Sequence, residues 1–426
     1  MDCDYAFEMA TSNIRFGPGS TREVGMDIAE LGLKRVMVLT DPNMLETPAV
    51  QTVLESLNRQ KIGYALFKEV RVEPTDTSLK RAIEFARSDP FDGFVAVGGG
   101  STLDTAKAAN LYSTYPPEDL LDYVNPPIGK GIPIPGTLKP LFAIPTTAGT
   151  GSETTGVVIF DFEEMHAKTG IADRRLKPTL GIIDPDNTKS MPPMVIACTG
   201  LDILTHAVES YTALPFNRRP RPERPILRPA YQGSNPISDI WALQALRMVS
   251  EHLIRAFEDP VDDEARAQMM LAAAFAGIGF GSAGLTLPHG MSYPVSGMVK
   301  DYRPAGYNVD EALIPHGMAV VLNAPAAFRY TAGGCPERHL AAAAALGAET
   351  ENAELEDAGK ILAERVVYFM RRLNIPNGLG AVGYGPEDIA RLVEGTLPQH
   401  RVVKLSPRPA NAEDLAQIFK DAMRYW

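Results

Sequence analysis

From residue 35 to residue 144 the apolar positions follow two alternating rhythms. Short unbroken runs, Arg35-Val36-Met37-Val38-Leu39-Thr40, Phe94-Val95-Ala96-Val97 and Leu141-Phe142-Ala143-Ile144, read as strands buried on both faces. Between them the spacing turns helical. Residues 47–60 place Val50, Val53, Leu54 and Leu57 on one side, and 77–87 and 101–112 behave alike. Strand and helix in alternation predict βαβ units and a largely parallel sheet. Residues 157–160 and 168–172 predict a hairpin.

After Ile183-Asp184-Pro185 the helical period takes over. Residues 240–257 are amphipathic, while 264–281 are apolar and rich in small residues, as in a helix buried against neighbours. Further helices are predicted over 337–346, 358–373, 386–397 and 412–425. The expected fold is an α/β domain over 1–185 followed by an all-α domain over 186–426, with no internal repeat. The stretch 214–236 holds five arginines among its prolines, cannot form a regular helix, and reads as a long surface loop or insertion.

Composition narrows the chemistry. A length of 426 residues favours two domains. A net charge of -11 argues against nucleic acid as a partner and gives no long-range help to anionic substrates, so a site for carboxylates needs local cations. Arg218, Arg219, Arg221, Arg224 and Arg228 are candidates for such a clamp, against a plain reading as solvated loop arginines. Cys3, Cys198 and Cys335 form no C-x-x-C and no even framework, which points to a reducing compartment. No apolar run is long enough to span a membrane, and the first residues read neither as a secretory signal nor as an arginine-rich transit peptide.

Two constellations carry chemistry. Asp202 and His206 lie four apart, one above the other on a helix. Pro288-His289-Gly290 and Pro315-His316-Gly317 each set an imidazole at the edge of a turn or a helix start. One carboxylate and three imidazoles suit iron(II) or zinc with a position left for substrate. The competing reading is a surface Asp/His pair beside unrelated histidines, since the separations far exceed those of a zinc finger. The other histidines, His166, His252, His339 and His400, read as surface residues.

The second constellation begins at Gly98-Gly99-Gly100-Ser101, which follows a strand and opens a helix, where free amides can take a phosphate. The spacing is not G-x-G-x-x-G, and a tight strand-to-helix turn is the plain alternative. Asp104 and Lys107 follow on the same helix, with a structural cap as the alternative role for Asp104. The turn from Pro145 to Glu153 also follows a strand, and Thr146 and Thr147 can face the same ligand. Asp41, at the end of its strand, suits the ribose hydroxyls of NAD and would repel a 2′-phosphate; a turn-forming Asp before Pro42 is the alternative.

Taken together and in this order, these motifs resemble the iron-containing (group III) alcohol dehydrogenases. Within that family Tyr5-Ala6-Phe7-Glu8-Met9, Val72-Glu73-Pro74-Thr75-Asp76, the stretch 228–241 and His289-Gly290-Met291-Ser292-Tyr293-Pro294 are most similar to its hydroxyacid-oxoacid transhydrogenase branch. The resemblance implies a Rossmann-like, dehydroquinate synthase-like α/β domain and an all-α metal-binding domain. It implies that Asp202, His206, His289 and His316 bind a divalent metal, Fe2+ first and Zn2+ as the alternative. Gly98, Gly99, Gly100 and Ser101 fall on the pyrophosphate turn, Asp41 on the NAD-selecting position and Thr146 and Thr147 on the nicotinamide side. Asp104 and Lys168 fall on further cofactor-side positions. The implied reaction oxidises 4-hydroxybutyrate to succinic semialdehyde while 2-oxoglutarate becomes D-2-hydroxyglutarate, with NAD recycled in place. Commoner members carry a histidine with a proton-handling role four residues after the third ligand; here Tyr293 stands in that place, and Tyr293, a Tyr–water chain and a cofactor ribose hydroxyl are the alternatives for that role. Glu73 stands where many relatives have Asn.

The rival readings are a conventional NAD-dependent alcohol or 4-hydroxybutyrate dehydrogenase, which would turn over with free NAD and no oxoacid, and a non-catalytic nucleotide- or metal-binding protein, against which the intact ligand set argues. Small hydroxy and oxo acids, no nucleic acid, no membrane and a homodimer are expected. The expected location is the cytoplasm for a bacterial protein or the mitochondrial matrix for a trimmed eukaryotic one.

Overall fold

A computed structural model describes residues 2–165, 167–309 and 311–426. Its strands are β1 (Asn13–Phe16), β2 (Arg35–Leu39), β3 (Gly63–Phe67), β4 (Gly93–Gly98), β5 (Leu141–Pro145), β6 (Val157–Phe162), β7 (Ala167–Ala172) and β8 (Leu180–Ile183). Helices α1 (Val24–Glu30), α2 (Pro48–Arg59), α3 (Asp76–Arg87) and α4 (Gly100–Thr114) alternate with the first strands. After β8 the chain is helical: α5 (Pro193–Thr212), α6 (Pro236–Glu258), α7 (Asp263–Ala283), α8 (Leu287–Gly297), α9 (His316–Thr331), α10 (Pro336–Ala345), α11 (Ala358–Arg372), α12 (Ile389–Thr396), α13 (His400–Val403) and α14 (Ala412–Asp421).

The main sheet has the order β1-β8-β5-β4-β2-β3, and every pairing in it is parallel. Alternate residues of its central strands point to opposite faces, and both faces are covered. Val36, Val38, Val95, Val97, Phe142 and Ile144 pack with α1 and α2 through Ile28, Val50, Val53 and Leu57. Met37, Leu39, Phe94, Ala96, Leu141 and Ala143 pack with α3 and α4 through Ala82, Ala86, Leu103, Ala106 and Ala109. That is why these strands read as unbroken apolar runs. From β2 the chain moves outward to β3, then returns to β4 on the other side of β2. The strand order therefore reverses between β2 and β4, the place where parallel α/β sheets hold ligands at their carboxyl edge. β6 and β7 form the expected antiparallel hairpin.

The helical unit is built on α5, α6 and α7. Small residues let these helices approach: a Cβ on Gly200 would lie 2.1 Å from Leu253 Cδ1, and one on Gly279 would lie 3.4 Å from the Ser238 carbonyl. The small-residue run expected over 264–281 is accordingly a buried helix, α7. No single helix among the described residues is long and apolar enough to cross a membrane.

The chain divides into two compact units, one spanning Ala10–Met191 and the other combining Pro192–Trp426 with the N-terminal stretch up to Met9. That stretch, expected with the α/β domain, packs instead with the helical unit, and specific bonds explain why. Asp4 takes both arms of the Arg228 guanidinium (3.0 and 2.9 Å), while the Glu8 backbone and the Gln232 side chain exchange two hydrogen bonds (2.9 and 2.6 Å). The arginine- and proline-rich segment 214–236 contains only two short 3-10 turns. The expected surface position of His339 is corrected: it is fully buried, with Nε2 at 2.8 Å from Thr331 Oγ1 and Nδ1 at 3.0 Å from the Cys335 carbonyl, and burial pulls it down to about 4. His400 is exposed and His252 half-buried, while His166 lies outside the described residues. All three cysteines are free.

Candidate metal centre and nucleotide turn

Asp202 and His206 lie on α5 with both side chains buried. His289 is the third residue of α8 and His316 the first of α9, so both Pro-His-Gly elements are helix starts. Pro288 at N2 and Pro315 at the N-cap fit positions that need no intrahelical amide donor. The glycines serve close approach. A Cβ on Gly317 would lie 2.0 Å from the Cys198 carbonyl and 2.9 Å from Asp202 Cβ, so only glycine lets α9 begin against α5 at this point.

These elements bring the four expected residues together. The Nε2 atoms of His206, His289 and His316 lie 3.6, 3.6 and 3.8 Å from Asp202 Oδ1. One ligand atom from each residue fits within a 4.8 Å span. Such separations are too long for hydrogen bonds, but ligands held at about 2.1 Å around a tetrahedral ion lie roughly 3.4 Å apart. Asp202 Oδ1 and His289 Nε2 are buried with no hydrogen-bond partner. A cation among the four satisfies both atoms, so the residues present fit a divalent metal.

Electrostatics prepares the donors. Burial alone would raise the Asp202 carboxyl, but the surrounding imidazoles outweigh it and hold it below the usual carboxylate range. Burial pulls His206 down to about 3, keeping its lone pair free of a proton. Its ring stacks on Phe280 at 4.2 Å and on His289 at 4.7 Å. His316 is the most accessible of the four, with its side chain 23% exposed.

One essential partner was not anticipated. Glu209 is fully buried, and its Oε1 lies 2.6 Å from His289 Nδ1. Its Oε2 accepts from the amide and hydroxyl of Thr286 (2.7 and 3.2 Å) at the start of α8. A carboxylate accepts only, so Nδ1 carries the hydrogen and Nε2 is left facing Asp202. The signal was present: Asp202, His206 and Glu209 fall at i, i+4 and i+7, one face of one helix.

The second expected cluster gathers in the α/β unit, at the carboxyl edge of the sheet. The turn after β4 and the turn after β5 lie side by side, with the Thr146 amide donating to the Gly98 carbonyl at 3.0 Å. A Cβ on Gly98 would meet Thr102 Oγ1 at 2.3 Å and one on Gly100 would meet Thr150 Cγ2 at 2.6 Å. The outer glycines therefore serve the turn's own packing, while Gly99 faces Thr147 at ordinary contact distance. No side chain caps the start of α4, leaving its first amides for an anion. Asp41, two residues beyond β2, is buried, and its Oδ1 accepts from the Asn43 amide at 2.9 Å, so it also forms the turn expected before Pro42.

Several other residues are tied to each other. Asp104 lies in the second turn of α4 and does not cap it; its oxygens accept from Ser152 Oγ (2.6 Å) and the Ile159 amide (2.9 Å). Lys107 is fully buried and donates to Ser152 Oγ and the Val157 carbonyl. Burial pulls its ammonium below the usual lysine range against the pull of Asp104 and Glu153. Lys168 is buried in the hairpin at 2.6 Å from Glu73 and 3.3 Å from Asp161. Burial works against its charge, but the two carboxylates more than offset this and hold it above the usual range. Glu73 adopts a left-handed backbone (φ 55), and its amide donates to Ser101 Oγ at 3.1 Å. The acidic residue at 73 thus links the phosphate-type turn to Lys168.

Glu153 gives a stability prediction. Burial pushes its carboxyl up to about 7 from an ordinary 4.5, with Lys107 opposing. The folded state therefore holds this proton more tightly than the unfolded chain, and stability falls as pH rises from about 4.5 to about 7, by about 3 kcal/mol. Glu153→Gln should remove that loss, so chemical denaturation at pH 5 and pH 8 should differ less in the variant than in the parent protein. An identical pH dependence in both would refute the assignment.

Comparison with known proteins places the chain in a family. Residues 11–185 match the family model for iron-containing alcohol dehydrogenase, and residues 230–423 match the C-terminal model of the Fe-containing alcohol dehydrogenase family. The chain belongs to the iron-containing alcohol dehydrogenase family. The mitochondrial hydroxyacid-oxoacid transhydrogenase of Bos taurus is 58% identical over 424 residues, covering 99% of this chain and 91% of that protein. Among solved structures, a 1,3-propanediol oxidoreductase is 28% identical with a TM-score of 0.85, over 98% of this chain and 100% of that one. Sulfoacetaldehyde reductase from Bifidobacterium kashiwanohense, in complex with NAD+, is 25% identical with a TM-score of 0.79, over 99% of each chain. Membership makes the chain an oxidoreductase with a nicotinamide cofactor and a divalent metal.

Proposed function

We propose that this iron-containing alcohol dehydrogenase is a hydroxyacid-oxoacid transhydrogenase that couples oxidation of 4-hydroxybutyrate to reduction of 2-oxoglutarate, giving succinic semialdehyde and D-2-hydroxyglutarate. The observation that carries this reading is the 58% identity, over almost the whole chain, to a transhydrogenase. The mitochondrial naming of that relative favours the same compartment here.

Asp202, His206, His289 and His316 hold Fe2+, which supplies Lewis acidity at the reacting oxygen when bound. Asp41, Gly98, Gly99, Gly100, Ser101, Asp104, Thr146, Thr147 and Lys168 form the NAD side, and the cofactor carries the hydride. Glu209 fixes the His289 ring, and the Asp202 carboxylate offsets cationic charge inside the helical unit. Tyr293 lies one turn beyond His289 on α8, buried, in the place where the commoner members carry a histidine. Its hydroxyl relays the proton released in the first half-reaction to a neighbouring water, passing on its own hydrogen as it takes up the other, and the reverse relay returns a proton in the second. The two half-reactions then balance in hydride and proton, and no free cofactor is consumed.

The test is product formation from 4-hydroxybutyrate and 2-oxoglutarate on iron(II)-reconstituted protein without added NAD. Succinic semialdehyde and D-2-hydroxyglutarate should accumulate together. Turnover that needs free NAD, seen as released NADH, and ignores 2-oxoglutarate would instead establish the conventional dehydrogenase.

A further inference from the structure

Both proposed substrates are carboxylates, and the chain carries a net charge of -11, so a local cation must select them. The segment 214–236 carries five arginines, but two of them are committed to structural contacts. Arg228 is held by Asp4 through two hydrogen bonds, and Arg219 donates to the Tyr231 carbonyl at 3.2 Å. Arg221, fully on the surface side, lies over the Tyr5 ring at 4.6 Å.

A different arginine stands beside the metal-centre helix. Arg401, on α13, donates through Nη2 to the Tyr293 hydroxyl at 3.0 Å. Its guanidinium lies 4.7 Å from the centre of the buried Tyr231 ring, a cation–π contact. Among the described residues no carboxylate pairs with it, and its Nη1 is buried without any hydrogen-bond partner. An unmet donor on a buried cation is costly unless a ligand meets it. The turn carrying Arg401 is also pressed onto the helix of His289. A Cβ on Gly290 would lie 3.0 Å from Val403 Cγ2 and 3.2 Å from Val402 Cγ2, so glycine after His289 is what admits it. Tyr293, four residues beyond His289, shares its face of α8.

We propose that Arg401, with its guanidinium oriented by Tyr231 and Tyr293, binds the carboxylate of the hydroxy and oxo acids and thereby sets the preference of this site for acids over plain alcohols. The inference rests on the transhydrogenase reading. A guanidinium offers two parallel donors to a carboxylate, and Nη1 is the donor still unmet. Tyr293 then has a second role: its hydroxyl fixes the plane of the fork. The assignment also explains how a chain of acidic net charge can use anionic substrates without a broad basic surface.

The test compares Arg401→Gln and Arg401→Lys with the parent protein on 4-hydroxybutyrate and on butan-1-ol, with metal content and thermal midpoint recorded for each. The ratio of kcat/KM for the acid to that for the alcohol should fall about 10- to 100-fold in Arg401→Gln, mainly through KM. Arg401→Lys, which keeps charge and loses the fork, should recover part of that ratio. A purely structural arginine would depress both substrates alike and leave the ratio unchanged, which would overturn the proposal while leaving the transhydrogenase reading intact. Should the parent protein turn over neither substrate, that reading fails, and calorimetric titration with succinate decides the arginine separately. Binding to the parent and not to Arg401→Gln sustains the carboxylate site; equal binding, or none to either, removes it.

Discussion

The His289→Ala protein should retain less than about a tenth of the parent's metal after desalting and lose at least about a thousandfold in both half-reactions. Three consequences of one truncation add up here. A ligand atom is lost from a set that spans only 4.8 Å. Glu209, fully buried, loses the ring nitrogen that its Oε1 meets at 2.6 Å. The start of α8, which Glu209 also holds through Thr286, loosens with it. Metal analysis, activity and the thermal midpoint should therefore all fall. Full activity in a metal-free His289→Ala protein would contradict the metal centre outright.

Glu209→Gln should produce the next largest effect, and a distinguishable one. The shape is kept, but the amide nitrogen now presents hydrogens where Thr286 and His289 also present theirs. One buried donor is left unmet, costing about 1–3 kcal/mol of stability. Metal affinity should fall about 10- to 100-fold, since the His289 ring is no longer fixed from behind. Excess metal should restore most of the activity of Glu209→Gln and none of that of His289→Ala. Equal metal affinity in Glu209→Gln and the parent would show that Glu209 only supports the fold.

The parts legible in the sequence were those whose surroundings leave a periodic trace. Residues 36–39, 94–97 and 141–144 are apolar on both faces because helices cover both, and their alternation with helical segments marked a parallel sheet. The four candidate ligands were singled out by type and spacing, and the fold gathers their donor atoms around Asp202 Oδ1. What escaped depends on pairings that no local pattern carries. The edge strands β1, mostly exposed, and β3, largely half-buried, lack the fully buried apolar runs of the central strands, so neither stands out. The N-terminal stretch joins the helical unit through Asp4 and Arg228, which lie far apart in sequence. His339 looked like a surface residue on a polar helix, but Thr331 and the Cys335 carbonyl satisfy it inside. Glu209 was readable from its helical spacing and was overlooked, whereas Arg401 gave no signal, since its role follows from contacts with Tyr293 and Tyr231.

In the proposed reaction hydride passes from one acid to another without leaving the protein as free NADH. The most direct measurement uses 4-hydroxybutyrate deuterated at its hydroxyl-bearing carbon, together with 2-oxoglutarate and an excess of unlabelled NADH in solution. Deuterium should appear at the hydroxyl-bearing carbon of D-2-hydroxyglutarate in proportion to the succinic semialdehyde formed. Label diluted into the free NADH pool, or absent from the hydroxyglutarate, would contradict the account.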